Sequence, residues 1–507
     1  MKDILSAGVN CCEISAVKES GLLVDGCDYY RAFCEGAESA ENYILLSGWQ
    51  FDSDVKLLGG EGTDDTLISF LNRLCEKNEK LRVYILAWNF SIIYSIDREW
   101  LQSWTFKWNT HERIQFCFDS SHPFGASHHQ KFVVIDGKIA FLGGLDLCSG
   151  RWDDRQHRAN NPQRVNADQS AYAPFHDVQT YHLGPVAEHL AKFFQEQWRT
   201  VCECDLDLAA PKQTPKIQFQ SALFIRSNRV AVSRTQVKIT GSGTESIREI
   251  RRLFRDAVGA AESLIYAENQ YFGSQAIFEA LVRRMTDRRR SRLQIVLVLA
   301  KEANAFVEQA SIGIAQAKII RHLKKLAVET GHALGVYYPA SLGEDGEEVA
   351  TYIHSKLLLV DDSFLSVGSA NLNNRSMGLD TELNVSWQIT EGQNEAQKSI
   401  RAVRVNLLAE HTGLDNNAIE LARTKGLVST LDKISNDPHS RLRRHPLLSD
   451  VNENESWIET LFPDGLPLDP EGPVFGEDSY EQIPTGRDTL FPKGINWLSN
   501  FLSRGIE

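Results

Sequence analysis

His129-Gln130-Lys131, with Asp136 five residues past the lysine and then Gly143-Gly144 and Asp146, is matched later in the chain by His354-Ser355-Lys356, Asp361, Gly368-Ser369 and Asn371. The spacing is the same in both copies. For one His-x-Lys-x4-Asp, coincidence competes, since each residue type fills roughly one position in twenty. Two copies with the same downstream residues, inside a wider repeat, leave chance aside. In an extended segment, residues two apart share a face. His129 therefore projects with Lys131, and His354 with Lys356. Asp136 and Asp361 stand at an odd offset, which turns them to the other face and gives them the job of fixing the turn.

The repeat reaches beyond these motifs. Ala40-Glu41-Asn42-Tyr43-Ile44 aligns without gaps to Ala261-Glu262-Ser263-Leu264-Ile265, and the frame continues to Phe51 and Phe272. LRVYILAW at 81–88 pairs with LQIVLVLA at 293–300. The chain reads as two homologous halves, not as a short-period solenoid. Lys131–Ile135 and Lys356–Val360 are expected as buried strands, with Ala140–Gly143 and Phe364–Gly368 next to them. Helical periodicity is expected over Asp65–Lys77, Pro185–Trp198, Glu245–Ala260 and Gln275–Asp287. Strands mixed with helices imply an α/β fold of two lobes, each a mixed β-sheet flanked by helices.

The expected division is a first lobe over 1–205, a linker over 206–222 with Pro211 and Pro215, a second lobe over 223–415, and an extension over 416–507. The polar stretch Arg155–Tyr172, with Asn160-Asn161-Pro162, is expected as a surface loop. The extension carries Trp457, Phe462, Phe475, Tyr480, Phe491, Trp497 and Phe501, which argues for a segment packed on the body.

Composition narrows the function. The 507 residues suffice for a large core, and 42% hydrophobic with 24% charged residues is a globular balance. No run approaches the roughly 18 apolar residues that cross a bilayer. No secretory signal opens the chain, so it is expected in the cytoplasm or peripherally at a membrane, with export lacking a cleaved signal left open. The nine cysteines all lie between Cys11 and Cys204, an odd number that gives no disulfide framework. Cys202-x-Cys204 lacks a partner pair with zinc-like spacing. A net charge of −13 argues against general nucleic-acid binding.

Two histidines and two lysines suit one shared site for breaking a phosphodiester. One neutral imidazole attacks phosphorus while the other protonates the leaving oxygen and then activates water or an alcohol. Lys131 and Lys356 hold the phosphate oxygens. The scheme calls for no metal and no cofactor, and both motifs stand in one chain, so it needs no oligomer. Gly144 and Ser369 are expected to let backbone N–H groups approach phosphate, followed by Asp146 or Asn371. An attacking imidazole needs an acceptor on its other nitrogen. Asp177 and Glu382 are equivalent positions once the polar stretch 155–172 is discounted, and both are carboxylates, so they take that orienting role.

These motifs resemble the phospholipase D superfamily of duplicated phosphodiesterases over roughly residues 40 to 415. Ser127-His128-His129-Gln130-Lys131, Gly143-Gly144-Leu145-Asp146-Leu147-Cys148 leading to Arg151-Trp152-Asp153, Glu268-Asn269-Gln270-Tyr271-Phe272, and Glu410-His411-Thr412-Gly413 look like the phospholipases proper. The resemblance implies one site at the lobe interface, a glycerophospholipid substrate met at a membrane surface, phosphatidic acid as product, and transfer to other alcohols. It assigns the nucleophile to His129 and acid/base work to His354, with the reverse assignment open. Asp146 departs from the Asn371 of the second copy, so it is expected to hold a lysine or Arg151. Trp49, Glu268 and Gln270 either line the pocket or pack at strand ends. His128 is expected to be structural, and His176 structural or a substrate contact. The arginines Arg283, Arg284, Arg288–Arg290 and Arg292 form either a solvated helix end or a contact for anionic lipid heads. A cardiolipin synthase-like transferase, a nuclease of the superfamily and a non-enzymatic membrane-binding relative remain as alternatives.

Overall fold

The computed structural model describes residues 3–58, 66–89, 110–123, 125–209, 215–237, 246–302, 306–390, 392–415 and 418–446, with Asp469 and Glu471. Two mixed sheets carry the α/β fold. In the first, the strands run in the order Leu223–Phe224, Glu19–Val24, Val178–Leu183, Ile139–Gly143, Phe132–Ile135, Tyr43–Gly48, Arg82–Trp88 and Ile114–Asp119. In the second, the matching run is Arg229–Gln236, Glu382–Gln388, Phe364–Gly368, Leu357–Val360, Leu264–Asn269, Gln294–Leu299 and Ala333–Leu342. From Glu19–Val24 onward the two orders correspond strand for strand. In both, only the last three strands pair parallel.

The alternation along these strands explains the layers, because neighbouring side chains point to opposite faces. Tyr43, Leu45, Phe132 and Val134 join one core with Leu264, Tyr266, Leu357 and Leu359 of the other sheet. Their neighbours Ile44, Leu46, Val133 and Ile135 face a separate core under the helices Asp25–Glu38 and Leu67–Lys77. Ile265, Ala267, Leu358 and Val360 face a third, under Glu249–Ala260 and Gln275–Thr286. The sheets thus lie inside and share a core, with outer helices on each side. Both faces of these strands are buried, which is why they read as continuous apolar runs. The helix Pro185–Cys202 starts with proline, whose missing N–H is no loss at that position, and sends Leu190, Phe194 and Trp198 into the shared core. The helix Asn394–Thr412 enters the same core through Ile400, Val403 and Leu407.

Several details differ from the sequence expectation. The strands after each motif begin one residue later, at Phe132 and Leu357, so His129, Lys131, His354 and Lys356 stand just ahead of the paired region. The chain also crosses between sheets. Glu13–Ala16 pairs with Arg229–Gln236 in the second sheet, whereas Leu223–Phe224 pairs with Glu19–Val24 in the first. The stretch Arg155–Tyr172 is the expected loop, mostly exposed or half-buried, but three of its side chains turn inward. His157, Asn161 and Arg164 are buried, because their polar groups are satisfied inside the protein. Of the extension, the helices Ile419–Ala422 and Leu427–Ile434 are described, and the strand Leu442–Arg444 pairs with Ala333–Leu342. The seven aromatics named for it lie outside the described residues. Among the described residues, no helix is long and apolar enough to cross a membrane.

Candidate active site

The two motifs meet where the sheets meet, and they are joined crosswise. The His129 N–H donates to the Thr381 carbonyl at 2.9 Å, and the His354 N–H donates to the His176 carbonyl at 2.8 Å. Tyr352–Ile353 and Phe175–His176 form a small parallel ladder, and His128 bridges Thr381 in the same sense. Each motif therefore runs alongside the residues that lead into the other half's carboxylate. As a result, His129 Nδ1 lies 3.1 Å from both carboxylate oxygens of Glu382. His354 Nδ1 lies 2.6 Å from Asp177 Oδ2. Each imidazole is thus gripped by an acid of the opposite half, and each keeps Nε2 for chemistry.

The carboxylates are themselves held. Glu382 accepts from the hydroxyls of Ser369 and Ser376. Asp177 accepts from the Val178 N–H at 2.7 Å. At Gly144, the position matching Ser369, a Cβ would stand 2.2 Å from Asp177 Oδ1 and 2.6 Å from Oδ2. The two halves use different pairs for one purpose: a shorter acid over glycine, and a longer acid tied by a serine. This corrects the expected phosphate role of Gly144 and Ser369. Their backbone N–H groups already bond the Val178 and Leu383 carbonyls, at 3.2 and 3.0 Å.

Lys131 Nζ lies 3.0 Å from the His129 carbonyl and 3.3 Å from Asp146 Oδ2, while Asp146 Oδ1 accepts from the Trp49 N–H at 2.9 Å. Asp146 thus holds the lysine directly, while the Arg151 guanidinium lies over the Phe175 ring at 4.9 Å and feels the Asp146 charge from further off. Lys356 Nζ reaches the His354 carbonyl and Gln270 Oε1. Trp49 and Gln270 are equivalent positions, and both back a lysine's surroundings. Trp49 also stacks on Trp88. Asn371 is buried, donates its N–H to Ser376 Oγ, and leaves Oδ1 without a hydrogen bond.

Burial and the lysines hold both imidazoles well below their usual range, so they are neutral near pH 7. Burial, aided by Lys131, pushes Lys356 down to about 7 against the pull of Asp177. Burial pushes Asp177 up to about 6 and Glu382 up to about 7, opposed by Lys356 at the first and by the two hydroxyls at the second.

Asp136 and Asp361 face away from this cleft. Each has a positive φ, 52° and 53°, at the end of its strand. Asp136 accepts from the N–H groups of Glu41, Asn42 and Tyr43, and Asp361 from those of Glu262, Ser263 and Leu264. They clamp the chain entering the neighbouring strand. His128 lies 3.2 Å from Asp119.

Glu268 is not a pocket residue. It is fully buried and accepts from Tyr266, Ser355, His176 and His411. It belongs to a charged network beneath the cleft that the motif spacing did not disclose. His176 lies between Glu268, Asp25 and Glu410, each at 2.9 Å. His157 lies 3.0 Å from Asp153, 3.1 Å from Glu410 and 3.3 Å from Asp25. The carboxylates raise His157 to about 9 and His176 well above the imidazole range, against the effect of burial. Asp25, His157, His176 and Glu410 offer ligand atoms within 4.8 Å of one another, as do His176, Glu268 and His411. Asp153, Glu410 and His411 stood within the quoted resemblance motifs, but only the fold gathers them.

The chain matches two families. The one described as Phospholipase D matches residues 36–287, and the one described as Cardiolipin synthase, PLD-like domain, matches 254–404. Phospholipase D1 of Saccharomyces cerevisiae is 24% identical over 86% of this chain and 31% of its own length. Phospholipase D alpha 2 of Oryza sativa subsp. japonica is 24% identical over 75% of this chain and 63% of its own. The chain thus spans about a third of the yeast relative and under two thirds of the rice one. Among solved structures, the phosphatidylserine synthase of Haemophilus influenzae Rd KW20 superposes with a TM-score of 0.54 at 15% identity, covering 83% of this chain and 94% of that one, which shows the fold.

Proposed function

Since the chain belongs to the phospholipase D superfamily, we propose that it is a phospholipase D-type phosphodiesterase that releases phosphatidic acid and a headgroup alcohol from glycerophospholipids. The observation that carries this is the crosswise pairing of His129 with Glu382 and of His354 with Asp177. It presents two oriented, neutral imidazoles with two lysines in one cleft.

His129 Nε2 attacks phosphorus, forming the N–P bond as the P–O bond to the headgroup breaks. Glu382 accepts a hydrogen bond from Nδ1–H and steadies the positive charge that develops on the ring. His354 carries the proton to the departing oxygen. The anionic phosphate favours that protonated form, offsetting the low proton affinity of His354 in the empty cleft. Water or an alcohol then enters, loses its proton to His354 and displaces His129. Lys131 and Lys356 neutralise the phosphoryl oxygens throughout. Asn371, with its unpaired Oδ1 and an amide free to turn, offers a further donor on the rim. Gln270 positions Lys356. No metal enters these steps.

Two homologous lobes, 1–205 and 223–415 joined through 206–222, fit the repeated strand order, with strands exchanged at the join and 416–507 as an extension. The protein meets its substrate peripherally at a membrane surface, and both motifs stand in one chain, so the scheme needs no second copy.

The test is product analysis with mixed phospholipid vesicles and ethanol. Phosphatidylethanol from the wild type, lost in His129→Asn and His354→Asn, is the expected result. Product formed only when glycerol-bearing phospholipids serve as acceptors would favour the cardiolipin synthase-like transferase that the second family match suggests. Cleavage of a nucleic-acid phosphodiester with no lipid product would overturn the substrate class.

A further inference from the structure

Three of the arginines singled out in the sequence, Arg283, Arg284 and Arg290, with no part in the cleft chemistry, line a cavity. A hollow of about 400 Å³ opens between the helices Glu249–Ala260 and Gln275–Thr286. Its walls include Arg252, Arg255, Arg283, Arg284 and Arg290, against two acids, Asp256 and Asp287. Five cations against two anions leave an excess of three positive charges, and counting Glu262, the ion-pair partner of Arg290, still leaves two. This concentration sits in a chain of net charge −13.

The acids are turned to other tasks. Asp256 accepts from Asn10 at 2.8 Å, and Asp287 is gripped by Arg289. Among the described residues, no hydrogen bond or ion pair engages the guanidinium of Arg255 or Arg283. Arg284 is the decisive group. It is 3% exposed, and its Nε and Nη2 donate to the carbonyls of Ala261 and Ser291 at 2.7 and 2.9 Å. Its Nη1 is buried and has no hydrogen-bond partner. A buried guanidinium with an unanswered N–H lacks the acceptor that such groups almost always have. Burial and Arg290 lower its proton affinity, as expected of a cation missing its counter-anion.

The hollow is remote from the cleft. Ala261 and Glu262 precede the strand Leu264–Asn269, whereas Gln270 beside Lys356 follows it. At about 3.3 Å per residue, the two ends stand roughly 20 Å apart.

We propose that this hollow is a second, non-catalytic site that binds a phosphomonoester group, with Arg284 Nη1 at its floor and Arg255 and Arg283 closing over the phosphate oxygens. Arginine forks match phosphate geometry in pairs of hydrogen bonds, and a compact dianion answers the local charge excess. The phosphate is carried either by a lipid headgroup or by a soluble molecule.

Arg255 and Arg283 are not in the core, so the double variant Arg255→Ala/Arg283→Ala tests the site without disturbing the fold, and its thermal unfolding is checked against the wild type. Two probes separate the sources: titration with inorganic phosphate, and retention on phosphatidylcholine vesicles with and without phosphatidic acid. Phosphate binding at the catalytic cleft is common to both proteins and cancels in the comparison. A loss of about tenfold or more in the variant is expected for at least one probe. Loss for phosphate alone assigns a soluble ligand, and loss for phosphatidic acid vesicles assigns a headgroup. Unchanged binding of both probes overturns the proposal.

Discussion

The unlike acids of the two halves make a sharp prediction about Gly144. The Cβ of Gly144→Ala would stand 2.2 Å from Asp177 Oδ1, while ordinary contact begins near 3.4 Å. The carboxylate has to move by about 1.2 Å to relieve this contact. Its hydrogen bond to His354 Nδ1 is 2.6 Å long, and a shift of that size carries it past the usable range. Losing a charge-assisted hydrogen bond costs about 1.5–3 kcal/mol, or roughly 10- to 150-fold in turnover if the bond acts in the transition state. The assay is headgroup release from detergent-dispersed phospholipid, with thermal unfolding in parallel. The expected result is a fall in kcat of that size while the protein stays folded. The other half suggests a remedy, since Ser369 and Glu382 work together. The double variant Gly144→Ser/Asp177→Glu should be more active than the product of the two single effects allows. Wild-type activity in Gly144→Ala would refute the steric reasoning, and strict multiplicativity in the double variant would refute the pairing.

Three further outcomes are expected. His157 and His176 are raised above the imidazole value of the unfolded chain, so the stability they bring is complete below about pH 6.5. The His157 share, on the order of 3 kcal/mol, fades as pH rises through about 9; urea midpoints at pH 6.5 and pH 10 should show the decline, and Glu410→Gln should lower the midpoint at the acid end of that range. Lys356, pushed down to about 7, is charged only below that pH, so kcat/KM should fall as pH passes it, and Lys356→Arg should lose this alkaline limb in whatever activity it keeps. Asp136→Asn keeps a residue tolerant of positive φ but removes the charged acceptor from three N–H groups. It should cost about 2 kcal/mol of unfolding free energy by denaturant titration, with little change in KM.

Much of this arrangement was legible in the residues. A duplicated His-x-Lys with matching carboxylates demands a pocket between two like halves, and the apolar runs beside them could only be strands buried on both faces. The crosswise grip was not legible, because equivalence of Asp177 and Glu382 tells that each half has an acid but not which histidine it holds. That depends on Thr381 and His176 running beside the opposite motif, a contact between segments about 250 and 180 residues apart. Arg155–Tyr172 was legible only in part. Its polarity reads as exposure, which holds for most of it, yet His157 and Arg164 turn inward to a shared partner, Asp153, under the site. Glu268 shows that an acid at a strand end can serve four neighbours in the interior as readily as a ligand in a cleft. The exchange of Glu13–Ala16 and Leu223–Phe224 between sheets left no trace in the pattern, since an edge strand carries the same alternation in either sheet.

The central claim is a covalent phosphohistidine on His129, and rapid quenching of the enzyme with a phospholipid labelled in its phosphate tests it most directly. In His354→Asn, where activation of the incoming water is removed, substrate with a good leaving group should leave a phosphatidyl adduct that peptide mapping places on His129. An adduct on another residue, or turnover with no adduct at any time point, would contradict the mechanism.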